Sequence, residues 1–524
     1  MKKEIVLGDE ALALGAVDAG ISCAFAYPGT PSTEIAEFLI SGQKEFGIRA
    51  EWCANEKTAF EAALGASFAG KRALVSMKHV GLNVAADAFM NSAISGVKGG
   101  LVVAVADDPG MHSSQNEQDS RYYADFAKIL CLEPCNAQEA YDFTRKAFAL
   151  SEELGIPVMV RLVTRIAHTR EEIERGEKRG QNALDEKMKW NEWVLLPLNA
   201  RVQFRKLLEK KPLLLEKSGE FVESGKGKGK RGVICAGNAF NYFMEAGSGI
   251  PCLKISSYPL PEEKIREFIA GLDEIVVLED GYPFIEEKLA GMFGLQGKKV
   301  LGKLSGLIPK DGELTPESVK KALGIRARIP FSVEKEFLAG RPPQPCKGCP
   351  HSDLYRALNE AVKEFPGAMV FGDIGCYTLG ALKPFLSINT CIEMGSSVNM
   401  SRGASVAGAR HSIGVIGDST FVHGGMPALA EAAKRKSNIT LIVLDNSTVA
   451  MTGGQETIAQ GEELVRICEG LGIEKEHVKV IEPLPGKHRE NAEVLKGEIS
   501  YNGASVVISK RACIQILKRL AKKK

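Results

Sequence analysis

Short apolar runs of strand length recur along this chain, and between them apolar residues return every three or four positions. In the amino-terminal part, Ala73 to Met77, Leu101 to Val105 and Pro157 to Arg161 read as strands, and Glu56 to Ala69 and Asn136 to Leu154 read as helices. Such alternation predicts a doubly wound parallel sheet. From about Glu171 to Arg231 the chain turns charged and loses its strand-like runs, ending in Ser224-Gly225-Lys226-Gly227-Lys228-Gly229-Lys230-Arg231. This stretch reads as a helical arm and a flexible linker, its lysines a solvated hinge and not a binding patch. Gly232 to Asn238 opens a second α/β block, with Glu274 to Asp280 as another strand, and Arg341-Pro342-Pro343-Gln344-Pro345 cannot continue a helix or a central strand. The expected plan is α/β throughout: domains at 1–190, 232–330 and 331–524, with the arm and linker at 191–231.

Length and composition agree with that plan. A chain of 524 residues holds about three domains of ordinary size, and 44% hydrophobic with 25% charged residues suits a soluble core. A net charge of +2 gives no reason to expect nucleic acid or an anionic membrane as partner. No apolar run reaches the length of a membrane span, and the apolar start Ile5-Val6-Leu7 is too soon interrupted by charge for a signal peptide, so the cytoplasm is the expected location. The 12 cysteines read as reduced thiols or metal ligands. Cys23, Cys53, Cys131, Cys235, Cys252 and Cys391 have no partner at ligand spacing and read as packing, whereas Cys346, Cys349, Cys376 and Cys513 form a separate pattern.

The densest chemistry lies in the last block. Ser412 to Ile416 is a buried-strand run ending on Gly417-Asp418-Ser419, a helical pattern follows from Thr420 to Lys436, and Ile439 to Leu444 is a second run leading to Asp445-Asn446-Ser447-Thr448. A strand-helix-strand unit would bring Asp418 and Asp445-Asn446 to one rim, where a magnesium ion and a diphosphate could be held. Gly424, Gly425, Gly453 and Gly454 would let backbone amides approach phosphates. Alone, Gly-Asp-Ser after a strand is a weak signal that reads more readily as a turn and helix cap. With Asp445-Asn446 and Thr452-Gly453-Gly454-Gln455 it resembles the thiamine-diphosphate signature, Gly-Asp-Gly followed by Asn-Asn. Here Ser419 replaces the last glycine and Asp445 precedes a single Asn446, departures that match the 2-oxoacid:ferredoxin oxidoreductase branch.

Near the start, Ala26-Tyr27-Pro28-Gly29-Thr30-Pro31-Ser32-Thr33-Glu34 and Cys53-Ala54-Asn55-Glu56-Lys57-Thr58 resemble the pyrimidine-binding domain of the same superfamily. The resemblance gives Glu56 the role of the glutamate that hydrogen-bonds the aminopyrimidine ring, matches Thr30 to the small polar residue near the reactive carbon, and makes Gly29 a cofactor-binding residue. Read without it, Glu56 is a solvent-facing helix residue beside Lys57. Met77-Lys78-His79-Val80-Gly81-Leu82-Asn83, Asp107-Asp108-Pro109-Gly110 and Gly372-Asp373-Ile374-Gly375-Cys376-Tyr377 extend the match, and the whole resembles the α subunit of indolepyruvate:ferredoxin oxidoreductase.

That resemblance implies three domains of the thiamine-enzyme type: pyrimidine-binding, transketolase-C-terminal-like and diphosphate-binding. It implies thiamine diphosphate and Mg2+, with Asp418, Asn446 and the carbonyl of Thr448 on the metal and Gly417, Ser419 and Gly424 along the diphosphate. It makes His79 and His351 pocket residues able to meet a substrate carboxylate or carry a proton, although one ordinary loop hydrogen bond explains either. The four cysteines match a 4Fe-4S ligand set; zinc, or an empty vestige, fits the same residues. Coenzyme A, an aryl pyruvate, ferredoxin or a ferredoxin-like subunit, and a β subunit in an α2β2 assembly are the implied partners. The usual ferredoxin-like Cys-x-x-Cys-x-x-Cys-x-x-x-Cys-Pro runs do not occur in this sequence. Met451 stands where the related pyruvate enzymes have Asn, which is compatible with a larger apolar substrate group. A non-oxidative thiamine decarboxylase and a non-catalytic scaffold subunit remain the alternatives.

Overall fold

The structure is a computed structural model that describes residues 2–185, 193–292, 297–309, 312–326 and 344–523. It divides into two compact units, Met1–Ser332 and Val333–Lys524. Residues 341–343 of the Pro-rich segment expected to mark a boundary lie outside the described residues.

The first unit is built on a seven-stranded sheet in the order Ser257–Tyr258, Cys131–Leu132, Val158–Val163, Leu101–Asp107, Ala73–Lys78, Cys23–Ala26, Arg49–Trp52. All pairs but the first are parallel. Leu101–Asp107 is buried along its whole length, as expected for a strand covered on both faces. Helix Ala137–Leu154 starts on an Asn136 side chain that accepts from the Glu139 N–H. Against it lies helix Gly8–Asp18, brought close because residue 15 is glycine: a Cβ there would meet the Tyr141 carbonyl oxygen at 2.4 Å.

A five-stranded sheet in the same unit runs Lys299–Leu301, Glu274–Leu278, Arg231–Ala236, Cys252–Ile255, Val222–Gly225. The charged arm differs from the sequence reading here. Besides helices Pro197–Glu209 and Lys211–Gly219 it carries two strands: Arg170–Arg175 antiparallel to Lys2–Leu7, and Val222–Gly225 antiparallel to Cys252–Ile255. Both run along charged or Gly-containing sequence that no apolar pattern marks, a composition that edge positions tolerate.

Between the two sheets of this unit Arg121 and Arg161 are both fully buried. Arg121 pairs with Asp119 at 2.5 Å and Glu279 at 2.8 Å, and Arg161 with Asp107 at 2.7 Å and with Glu133. Asp107, Asp119 and Glu133 come from the first sheet and its connections and Glu279 from the second's, so the ion pairs fasten one sheet to the other.

The second unit holds a five-stranded, all-parallel sheet in the order Met369–Gly372, Ser412–Gly417, Ile439–Asp445, Ala504–Lys510, Val478–Ile481. Ser412–Gly417 and Ile439–Asp445 are buried throughout and adjacent, so their carboxyl ends share one rim. The segment after Gly417 is not one continuous helix: a turn at Asp418–Thr420 leads into a π-helical turn at Phe421–Gly425, and the α-helix begins at Met426. Gly424, Gly425 and Pro427 favour that interruption, and such turns recur at functional sites.

Candidate functional site

In the second unit, the Asp418 carboxylate is 2% exposed at the strand end. Its Oδ1 accepts from the Ser419 N–H at 2.7 Å and its Oδ2 from the Ser447 N–H at 2.8 Å. Burial, aided by the charge of Asp445, pushes its pKa up to about 7 against the pull of these amides. Asp445 is engaged differently. Its Oδ1 accepts from the Ser447 N–H at 3.1 Å and its Oδ2 from the Gly461 N–H at 2.7 Å, which shapes the loop and leaves the rim to Asp418 and Asn446. Asn446 Oδ1 accepts from the Thr448 N–H at 3.1 Å, and Ser447 takes a left-handed φ of 60° to make the turn. The structure thus brings Asp418, Asn446 and Thr448 into one loop cluster, and a buried carboxylate raised toward neutrality is what a divalent cation would return to its ionised form.

Two predicted glycines have packing reasons as well. A Cβ on Gly417 would meet the Tyr377 ring at 2.7 Å, and one on Gly424 would meet the Met394 carbonyl oxygen at 2.7 Å. The fully buried Asp373 holds the facing segment, accepting from Gly395 N–H at 2.8 Å, Ser397 N–H at 3.0 Å and Ser397 Oγ–H at 2.5 Å.

The four cysteines gather. Cys346 and Cys349 share a tight turn, the Cys349 N–H donating to the Cys346 carbonyl at 2.9 Å, and Cys349 leads into helix Pro350–Val362. Burial pushes the Cys376 thiol up to about 12, and the neighbouring Cys349, Cys513 and Cys346 thiols add to that shift. Cys513 donates its N–H to the Asn446 carbonyl at 3.1 Å. Tetrahedral zinc would bring sulfurs to roughly 3.8 Å of one another. Among the described residues the one set of three ligand atoms within 4.8 Å lies elsewhere, so no three of these sulfurs are that close.

His351 is 5% exposed, edge-on to Tyr377, with Nε2 3.4 Å from Asn446 Nδ2. Burial lowers its pKa to about 4, which favours the neutral form at physiological pH. Met451 is 53% exposed on the loop that follows.

In the first unit, Glu56 opens helix Glu56–Phe68 behind an Asn55 cap and is 4% exposed. Lys57 instead faces solvent and pairs with Glu61. The Glu56 carboxylate lies against the first turn of helix His79–Ser95: a Cβ on Gly81 would stand 2.5 Å from its Oε1. The solvent-facing reading of Glu56 is thereby excluded. The Thr30 loop is braced from within, Gly29 N–H donating to Thr33 Oγ1 at 3.0 Å and Ser32 Oγ–H to the Gly29 carbonyl at 2.8 Å. From outside, Ser113 Oγ–H donates to the Thr30 carbonyl at 3.1 Å. His79 Nε2 faces the Asn116 carbonyl at 3.2 Å, and burial lowers its pKa, so it too favours the neutral form.

Two family models match: the thiamine-diphosphate-binding part of pyruvate flavodoxin/ferredoxin oxidoreductase over residues 14–193, and the C-terminal thiamine-pyrophosphate-binding domain of thiamine pyrophosphate enzymes over residues 373–507. The indolepyruvate oxidoreductase subunit IorA of Archaeoglobus fulgidus is 39% identical over 98% of this chain and 86% of its own length, and that of Methanothermobacter thermautotrophicus 38% over 98% and 87%. The chain belongs to the IorA family. A solved 2-oxoglutarate:ferredoxin oxidoreductase from Magnetococcus marinus, 18% identical, matches 61% of this chain and 65% of its own with a TM-score of 0.51, which shows a shared fold.

This IorA-family chain is therefore an α subunit of the thiamine-diphosphate-dependent 2-oxoacid oxidoreductases, and its α/β parallel-sheet architecture is that of the thiamine enzymes. No helix among the described residues is long and apolar enough to cross a membrane. The sequence reading quoted one residue of the first half, Lys78, without giving it a role. Lys78 ends the buried strand Ala73–Lys78, 8% exposed, its stem 3.0 Å from the Cβ position of Gly29 and its Nζ donating to the Ser113 carbonyl at 3.2 Å. Burial lowers its pKa to about 8 although Asp108 and Glu56 pull it up. A charged residue closing an otherwise apolar strand was the available signal.

Proposed function

We propose that this subunit oxidatively decarboxylates an aryl pyruvate, with indolepyruvate as substrate, coenzyme A as acyl acceptor and ferredoxin as electron acceptor, in a complex with a smaller β subunit. Thiamine diphosphate supplies the electron sink for carbon–carbon cleavage, and each turnover releases carbon dioxide and two electrons while the acyl group passes to the coenzyme A thiol. Asp418, Asn446 and the Thr448 carbonyl would hold the Mg2+, Gly417, Ser419 and Gly424 would line the diphosphate, and Glu56 would bind the pyrimidine ring, with Thr30 and His79 beside it. Cys346, Cys349, Cys376 and Cys513 would hold one 4Fe-4S cluster, which takes electrons singly.

The observation that carries the oxidative reading is the Cys513 N–H bond to the Asn446 carbonyl, which sets the cysteine group one residue contact from the proposed metal loop. A decarboxylase needs no such neighbour. The substrate assignment rests on the names of the IorA relatives. The test is anaerobic reconstitution with thiamine diphosphate, Mg2+ and the β subunit, following indolepyruvate-dependent reduction of a viologen dye. Reduction that vanishes without coenzyme A supports the proposal; aldehyde and carbon dioxide released without dye reduction sink it, and a higher kcat/KM for pyruvate overturns the aryl assignment.

A further inference from the structure

Asp9, Glu34 and His168 each place one ligand atom within 4.8 Å of the other two. Local backbone packing brings them together. The Gly8 N–H donates to the Thr169 carbonyl at 3.0 Å, and a Cβ on Gly8 would stand 1.9 Å from the Ile166 carbonyl oxygen. Only glycine therefore lets helix Gly8–Asp18 begin directly on the 166–169 turn, which sets Asp9 beside His168. Glu34 comes from the first turn of helix Thr33–Phe46.

The Asp9 carboxylate is 0% exposed, and neither of its oxygens has a hydrogen-bond partner; Glu34 Oε2 is buried without one as well. A simple His168–Glu34 ion pair, at 3.7 Å, accounts for two of the three groups and leaves Asp9 unexplained. Buried carboxylates are otherwise satisfied by donors, by counter-charges or by metals. Two ligands sharing an ion at about 2.1 Å lie roughly 3.0 to 3.4 Å apart, so the His168–Glu34 distance needs only a few tenths of an ångström of closure. The side chains of His168 and Glu34 are 37% and 35% exposed, which gives an ion a path in and water a place at its remaining positions.

We propose that Asp9, Glu34 and His168 form a binding site for a divalent cation of the manganese(II) type, hard enough for two carboxylates and tolerant of one imidazole. The ion ties three elements behind the Thr30 loop: Glu34 adjoins Thr33, whose hydroxyl holds the Gly29 N–H. Its role is to position that loop.

The test is a titration of the full chain, freed of metals by chelation and without thiamine diphosphate, with Mn2+, reading the loss of the free-ion electron paramagnetic resonance signal. The expected result is one Mn2+ per chain, kept in Asp418→Asn and in Cys346→Ser and lost in Asp9→Asn and in His168→Ala. Asp9→Asn removes a buried unpaired carboxylate, so its metal-free Tm should equal or exceed that of the parent, which separates lost binding from misfolding. No uptake by the parent chain, or equal uptake by the Asp9→Asn/His168→Ala double variant, overturns the proposal.

Discussion

The Cys513 N–H donates to the Asn446 carbonyl at 3.1 Å, and two residues earlier the Arg511 N–H donates to the Asp445 carbonyl at 3.0 Å. The turn that carries the fourth cysteine is thus zipped to the loop that carries the proposed metal ligands. Cys376→Ser should remove most iron from anaerobically isolated protein and abolish dye reduction, while thiamine diphosphate binding, read by intrinsic fluorescence, stays within a few-fold. Full iron content in the variant would show that the four cysteines are not one ligand set.

Asp418 sets a pH dependence. Its pKa rises from the ordinary carboxylate value of about 4 to about 7 in the folded chain, so between these values the folded state keeps a proton that the unfolded state releases. Stability of the cation-free chain should fall as pH rises from about 4 to about 7 and then level off. Binding of Mg2+ with thiamine diphosphate displaces that proton, so affinity should weaken about tenfold per unit below pH 7. Calorimetric titrations at pH 6 and pH 8 check this, and Asp418→Asn should flatten the profile.

Glu56→Gln keeps the shape of the helix start and removes the acid. With the β subunit present, kcat should drop about 10²- to 10⁴-fold, the range of a lost acid–base group, with Tm little changed. Unchanged turnover would favour a non-catalytic scaffold role.

Lys78 braces the Ser113 segment that in turn holds the Thr30 carbonyl. Lys78→Met preserves the stem against Gly29 and removes the donor, so kcat should fall by up to about 10²-fold through a displaced loop. Steady-state assays on a variant with parental circular dichroism would measure it.

Arg121 is a stability prediction. Arg121→Met takes the guanidinium away from buried Glu279 and leaves buried Asp119 only Arg161 at 3.7 Å, which should cost about 3–5 kcal/mol and lower the Tm of the first unit distinctly. Calorimetry reads it directly.

The sequence carries the elements far better than their contacts. Strands such as Leu101–Asp107 and Ile439–Asp445 are mostly apolar runs closed by an aspartate because both faces are covered, and helix Ala137–Leu154 announces itself through its period and its Asn136 cap. Arg170–Arg175 was invisible because an edge strand needs no apolar pattern. Asp418 and Asn446 were legible as a spaced motif. The loop-shaping use of Asp445, the neutrality of His351 and the meeting of Asp9 with His168 depend on burial and on partners distant in sequence, which no local pattern encodes.

The Ser447 N–H is shared, 2.8 Å from Asp418 Oδ2 and 3.1 Å from Asp445 Oδ1. Two carboxylates compete for one proton donor on a residue already at a left-handed φ. Whichever carboxylate gains charge draws the amide toward itself, so the Ser447 amide should act as a built-in reporter, its chemical shift moving as Asp418 changes from acid to cation ligand.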